Sequence, residues 1–211
     1  MKGNLIIISS PSGGGKGTLI RRLLTSIPSI GYSVSYTTRA QRNDEIHGTD
    51  YCFVSPDEFE RLRSGGEFLE FARVHENLYG TSRAQVEKKI ASGQDVILEI
   101  DVQGAAAVMA KMPSAVSIFI LPPSFEVLRE RLTRRATESS GDLQLRLRNS
   151  FDEVRQYEHF RYVVVNNEVD TATEQLKQII LAERLRTDRQ PGPIQDILDS
   201  FDISKYTFFG V

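Results

Sequence analysis

Residues 4–20, NLIIISSPSGGGKGTLI, constrain the fold of this chain more than any other stretch. Asn4 to Ser9 is a short, strongly apolar run, the pattern of a parallel strand buried on both faces. Ser10, Pro11, Ser12, Gly13, Gly14, Gly15 and Lys16 follow, and an amphipathic run begins at Thr18. Strand, glycine loop, lysine and helix is the order that cradles a phosphate. Glycines let the backbone turn tightly with its N–H groups aimed at an anion. The helix start adds a partial positive charge, and Lys16 adds a full one. The match to G-x-x-x-x-G-K-[ST] departs at two places: Ser10 stands for the first glycine, and Gly17 for the hydroxyl residue after the lysine.

The rest of the chain limits what can surround this element. A length of 211 residues fits one α/β domain with lobes, or two small domains. Net charge is −2, so the global basic excess of a nucleic-acid binder is missing. Cys52 is the only cysteine, which excludes an intrachain disulfide and suits a reducing compartment. No apolar run approaches the ~20 residues of a membrane span. The first apolar run is too short for a signal peptide, so a cytoplasmic location is expected.

Leu19, Ile20, Leu23 and Leu24 recur at helical spacing, and Ile27-Pro28 ends that helix. Tyr32 to Thr38 alternates like a strand, and Tyr51 to Val54 is another. Arg39, Arg42, Asp44 and Glu45 lie in the polar loop between them. Ser55-Pro56-Asp57-Glu58 starts a helix that ends near Gly65-Gly66. Phe68 to His75 reads as a strand containing Glu70, and Leu78 to Thr81 as its hairpin partner. Ser82, with Gln85 three residues later, caps the next helix. Residues 33–94 therefore form a strand-rich insertion after the first βα unit.

The α/β rhythm resumes with three strands, at 95–101, 115–121 and 162–165, and helices between them. Thr171 is expected to cap the last long helix, with Glu174 at its third position. Four β runs alternating with helices predict a parallel sheet covered on both faces. Residues 187–211 form a tail with an aromatic end, expected to pack on its own protein.

Two clusters carry further chemistry. Glu99 and Asp101 lie at the carboxyl end of a core strand, where open α/β sheets bind ligands. Their spacing puts both on one side. Ligand or Mg²⁺ contact is one reading, and a helix cap at Asp101 is the other. Arg129, Arg131, Arg134, Arg135, Arg146 and Arg148 crowd one helix–loop–helix. A solvated helical face and a lid closing guanidinium groups over phosphates are equally open on these residues alone.

Taken together, SSPSGGGKGTLI, VSYTTRAQRNDEIHGTDYCFV, FLEFARV, LYGTS, ILEIDVQGA, IFILPPS and VNN resemble the guanylate kinases, a family of nucleoside monophosphate kinases. The resemblance covers residues 4 to about 186. It implies a three-layer α/β P-loop kinase fold and ATP-dependent phosphorylation of GMP, with dGMP as a second acceptor and Mg²⁺ accompanying ATP. It also implies a core at 1–32, 95–125 and 158–186, a GMP-binding insertion at 33–94 and a helical lid at 126–157. Ser12, Gly13, Gly14, Gly15, Lys16, Gly17 and Thr18 would hold the ATP phosphates, and Asn166 would lie beside adenine. Ser35, Arg39, Arg42, Tyr51, Glu70, Tyr79, Thr81 and Asp101 match GMP-site positions. Lys16, Arg131, Arg135 and Arg146 match groups that stabilise the transferred charge. Glu99, where the family usually has Asp, is a candidate metal contact, and Ala136 stands where the family usually has Gly. The run GKGT resembles adenylate kinases, in which phosphates and water largely hold the metal. A protein-interaction domain and a kinase for another nucleotide, such as AMP, are the competing readings.

Overall fold

The structure, a computed structural model, describes residues 2–74, 76–134 and 140–201. The chain opens with β1 (Leu5–Ser9), α1 (Lys16–Ser26) and β2 (Ile30–Tyr32). The inserted region then contributes β3 (Tyr36–Thr37), β4 (Cys52–Phe53), α2 (Pro56–Ser64), β5 (Phe68–Val74), β6 (Asn77–Ser82) and α3 (Arg83–Ala91). The remainder alternates through β7 (Asp95–Glu99), α4 (Val102–Lys111), β8 (Val116–Leu121) and α5 (Phe125–Arg134). It continues through α6 (Ser140–Arg155), β9 (Tyr162–Val165), α7 (Val169–Arg184) and α8 (Pro191–Ser200).

The core sheet has five parallel strands in the order β2-β7-β1-β8-β9. The apolar run of β1 is continuous because both of its faces are covered. Ile6 and Ile8 pack with Leu19, Ile20 and Leu23 of α1 and Leu176 and Ile180 of α7. Leu5 and Ile7 face the other way, toward Val86 of α3 and Ala105 and Val108 of α4. Burying each such Ile or Leu contributes about 1.5–3 kcal/mol, so β1 is firmly anchored. Its neighbours β7 and β8 run to opposite edges of the sheet, which opens a crevice at the carboxyl end of β1.

The second sheet is smaller, four strands in the order β4-β3-β6-β5. The β5–β6 hairpin is its longest pairing, and its register shifts between Phe68 and Glu70. That irregularity leaves Phe68, Leu69 and Glu70 buried in succession, where regular alternation would have exposed one of them.

Several local expectations are corrected. The strand expected over 32–38 is two pieces, because Ile30–Tyr32 joins β7 of the core while Tyr36–Thr37 joins the second sheet. The core therefore has a fifth strand that the alternation pattern did not separate. Helix α1 begins at Lys16, two residues before Thr18. Helix α7 begins at Val169 after Glu168, so Thr171 lies inside its first turn and does not cap it. The tail contains α8, which has no buried residue; Ile197 and Phe201 are 58% and 77% exposed. The start of the tail touches the protein, Arg189 Nη2 donating to Ser114 O at 3.5 Å, whereas α8 lies exposed on the surface.

Candidate active site

The loop after β1 is held open by contacts from three directions. Gly14 N–H donates to Pro11 O at 2.9 Å, closing a turn that contains Gly13, at φ 84°, and is followed by Gly15, at φ 93°. Asn166, in the segment after β9, donates from Nδ2 to Gly14 O at 2.9 Å. A Cβ on Gly15 would lie 2.4 Å from that nitrogen, so only glycine fits. Glu153 of α6 accepts from Ser12 N–H at 2.9 Å. Helix α1 has no side-chain cap and no acidic residue in its first turn. Its leading amides are therefore left for an anion arriving at Lys16.

Opposite the loop, the irregularity in β5 brings Glu70 beside Thr81. The Thr81 hydroxyl donates to Glu70 Oε1 at 2.6 Å, and Glu70 is only 4% exposed. Burial raises the Glu70 carboxyl to about 7; Asp101 adds to the rise, while the Thr81 hydroxyl and Lys111 oppose it. The start of α4 packs against this carboxylate: a Cβ on Gly104 would lie 2.9 Å from Glu70 Oε2. Asp101 Oδ1 accepts from Gly104 N–H at 2.8 Å, and the same side chain lines the cleft. The helix cap that was the alternative on sequence is therefore formed, by a side chain that also lines the cleft.

One cavity of about 300 Å³ joins the two sides. Ser12 and Lys16 line it from the loop, Ser35, Tyr51, Glu70 and Tyr79 from the insertion, and Glu99, Asp101 and Arg146 from the core and α6. A second cavity of about 710 Å³ adjoins it through Tyr51, Glu99 and Arg146, and Gly17 and Arg42 lie on its wall.

The insertion also carries a cluster of arginine and tyrosine side chains. Arg39 Nη2 donates to Glu45 Oε1 at 2.6 Å, and Arg42 N–H donates to Glu45 Oε2 at 2.9 Å. Arg39 holds the Glu45 carboxyl below its ordinary range. The Arg39 guanidinium stacks 5.3 Å from the Tyr51 ring, and Tyr51 meets Tyr79 edge-on at 5.9 Å. Burial first, and Glu99 second, push the Tyr51 phenol up to about 12, so it remains a hydrogen-bond donor at neutral pH. Glu99 Oε2 accepts from the Tyr32 hydroxyl at 3.3 Å, which helps to hold the carboxylate at the end of β7.

The structure thus gathers Ser12, Lys16, Ser35, Tyr51, Glu70, Tyr79, Glu99, Asp101 and Arg146 around one cavity. Thr81 acts on it through Glu70, and Arg39 through Tyr51 and Glu45. Arg131 does not line it: Nη2 donates to Asn166 O at 2.9 Å, and Nη1 is buried with no hydrogen-bond partner among the described residues. Arg135 lies outside the described residues. Sequence reasoning missed Glu45 and Glu153. An acid three residues beyond Arg42 and six beyond Arg39 was a readable signal for the first. For Glu153, paired across 141 residues, there was none.

The Guanylate kinase family model matches residues 2–183. A guanylate kinase of Geobacter sulfurreducens is 45% identical over 196 residues, covering 93% of this chain and 97% of its own. One from Neisseria meningitidis serogroup A is 50% identical over 199 residues, covering 94% and 97%. The crystal structure of guanylate kinase from Anaplasma phagocytophilum superposes with a TM-score of 0.77 at 38% identity, over 95% of each chain. With family, curated relatives and solved structure in agreement over nearly its whole length, the chain belongs to the guanylate kinase family.

Proposed function

We propose that the protein transfers the γ-phosphoryl group of ATP to GMP, and to dGMP, giving ADP and the diphosphate in cytoplasmic purine nucleotide metabolism. The observation that carries this reading is the single cavity lined at one end by Lys16 and at the other by the buried Glu70. Guanine presents two adjacent donors, N1–H and the N2 amine, and an ionised carboxylate accepts both. Adenine has an acceptor at N1 and no such amine, so it leaves Glu70 unpaired. Ser35 and Asp101 serve the remaining base edge, and Thr81 fixes the Glu70 oxygen opposite them.

The GMP phosphate is held by Arg39, Arg42, Tyr51 and Tyr79, whose forks and hydroxyls are all donors. The ATP phosphates lie on the loop from Ser12 to Thr18, with Asn166 beside adenine. Lys16 and Arg146, joined by Arg131 and Arg135, supply positive charge where it develops on the transferred group. Transfer is in line between the two nucleotides, with no covalent intermediate. Residues 1–32, 95–125 and 158–186 serve as core, 33–94 as the GMP-binding part and 126–157 as lid.

Mg²⁺ accompanies ATP. Glu99 offers a hard oxygen donor, and its Oε1 is 3.7 Å from the position a Cβ on Gly17 would occupy, so the residues present fit an ion carried on the phosphates with this one carboxylate nearby. When bound, the ion neutralises phosphate charge.

A coupled assay of ADP release with GMP, dGMP, AMP, CMP and UMP tests the reading. GMP and dGMP should turn over, with GMP preferred to AMP by roughly 10⁴-fold in kcat/KM, the discrimination expected when the wrong ligand leaves a buried polar group unpaired. Equal turnover of AMP would overturn the base assignment, and no turnover of any acceptor would overturn the enzyme.

A further inference from the structure

Glu153 has a position that its own helix disfavours. It lies two residues from the end of α6, where the carbonyl ends of the helix repel a carboxylate. Its Oε2 is nevertheless held, by Ser12 N–H at 2.9 Å. Pro11 has no N–H, and the turn from Pro11 to Gly14 is closed by Gly14 N–H, so the amide of Ser12 is not used by the loop itself. The contact ties the last turns of α6 to the beginning of the phosphate loop.

The same helix carries Arg146 seven residues earlier, about two turns and so on nearly the same face. Arg146 lines both cavities, in the first beside Lys16 and Ser12. Between Arg146 and Glu153, Ser150 is 2% exposed, a small residue that lets the helix lie close. Phe151 packs on Phe125 of α5 at 4.9 Å, which restrains rotation of α6 about its axis more than a shift along it. The Glu153–Ser12 bond opposes that shift.

We infer that Glu153 is a positioning residue for phosphoryl transfer: its carboxylate registers α6 on the phosphate loop, so that the Arg146 guanidinium arrives beside Lys16. This rests on the reading of Arg146 as a group that faces the transferred phosphate. A displacement of about 1 Å at a reacting centre can cost up to 10²-fold in rate, so a register bond far from the chemistry can matter.

The test is a mutant cycle between Glu153 and Arg146, using steady-state kcat and the KM for each nucleotide. Glu153→Met keeps the length of the side chain and removes the acceptor; Glu153→Gln keeps an acceptor and removes the charge. E153M should lower kcat about tenfold with little change in the KM for GMP, and E153Q should recover most of the loss. In an Arg146→Ala background, E153M should cost less than about twofold more, because the group it positions is gone. If R146A lowers kcat and E153M still exerts its full effect on it, the inference about Glu153 is overturned while the reading of Arg146 stands. If R146A keeps full kcat, the reading of Arg146 itself fails. E153M with wild-type kinetics, or E153Q as impaired as E153M, also overturns the positioning role.

Discussion

On the core side of the cleft, the phosphate loop hangs from β1, a strand packed on both faces by Ile and Leu side chains. On the insertion side, Arg39 and Arg42 follow β3, a strand of two residues. The first proposed anion site is made of backbone amides and one lysine, clasped by Asn166 and Glu153. The second proposed site is made of side chains, and its arginines are organised by Glu45 from within their own loop. Backbone sites on rigid strands are placed by the fold. Side-chain sites on short strands are placed by local ion pairs and by what they bind.

The comparison is sharpened most by its largest expected effect. Lys16→Ala removes the one full charge of the backbone site and should lower kcat by roughly 10²-fold or more, as loss of a preorganised charge does. The fold should survive, because Lys16 is half-buried and outside the packed clusters. Circular dichroism and turnover on the same sample check both halves; near-normal turnover would remove Lys16 from the chemistry.

Next comes the base end of the side-chain site. Glu70→Ala should raise the KM for GMP by about 10- to 100-fold, the worth of hydrogen bonds to a charged group, and leave the KM for ATP within about twofold. Equal changes in both would mean that the insertion and the core are not separable in the way drawn above.

How much of this was legible in the sequence differs between the two regions. The strand–loop–helix at residues 4–20 was readable because one local pattern specifies both structure and site. Glu70 was not placed by pattern: its alternation with Phe68 and Phe71 left a solvent-facing position open. The register shift after Phe68 decided the matter, burying Glu70 beside Thr81 while Phe71 became 46% exposed. Such a shift depends on pairing with β6 and leaves no periodic mark on β5 alone. Arg131 was illegible for a different reason. Helical spacing gave its face, but only the fold showed that this face meets Asn166. Tyr32 was assigned to one continuous strand because alternation does not reveal which of two sheets a residue joins.

The pH dependence of the two sites should also differ, and Glu70 is the reason. In the base site proposed above guanine needs the ionised carboxylate, and burial raises that carboxyl to about 7 before ligand arrives. The KM for GMP should therefore rise as pH falls through 7, by about tenfold at one unit below relative to its high-pH value, with a flatter profile in Glu70→Gln. That variant retains titration of the GMP phosphate, so the difference between the profiles belongs to Glu70. Stability runs the other way. A carboxyl raised in the folded state holds its proton between its unfolded value, near 4.5, and about 7, so its contribution is present at low pH and lost as pH rises through 7. Without nucleotide, Glu70→Gln should gain stability relative to the parent at pH 8 but not at pH 4.5, by up to about 3 kcal/mol. Urea unfolding at the two pH values reads it; a gain of equal size at both would mean that ionisation of Glu70 is not its source.

The smallest effect is expected where the backbone site looks least conventional. Gly17 follows the lysine and lacks a hydroxyl, yet nothing in the fold demands glycine there. Its Cβ would lie 3.7 Å from Glu99 Oε1 and 4.0 Å from Arg21 Nη1, both ordinary contacts. Gly17 lies in the first turn of α1 without the positive φ of Gly13 and Gly15. A serine there costs less backbone entropy than glycine, and its hydroxyl could donate to Glu99 or contact a metal ion on the phosphates. Gly17→Ser should therefore leave kcat and the KM for ATP within about twofold, and raise stability by a few tenths of a kcal/mol. Titrating ATP with and without Mg²⁺ against this variant separates two roles for the position. Tighter Mg²⁺-dependent binding would mean the hydroxyl has joined the metal's surroundings. Loss of ATP binding under both conditions would mean the phosphates pass closer to Gly17 than its open surroundings suggest, and the close approach shown for Gly15 would have to include that glycine.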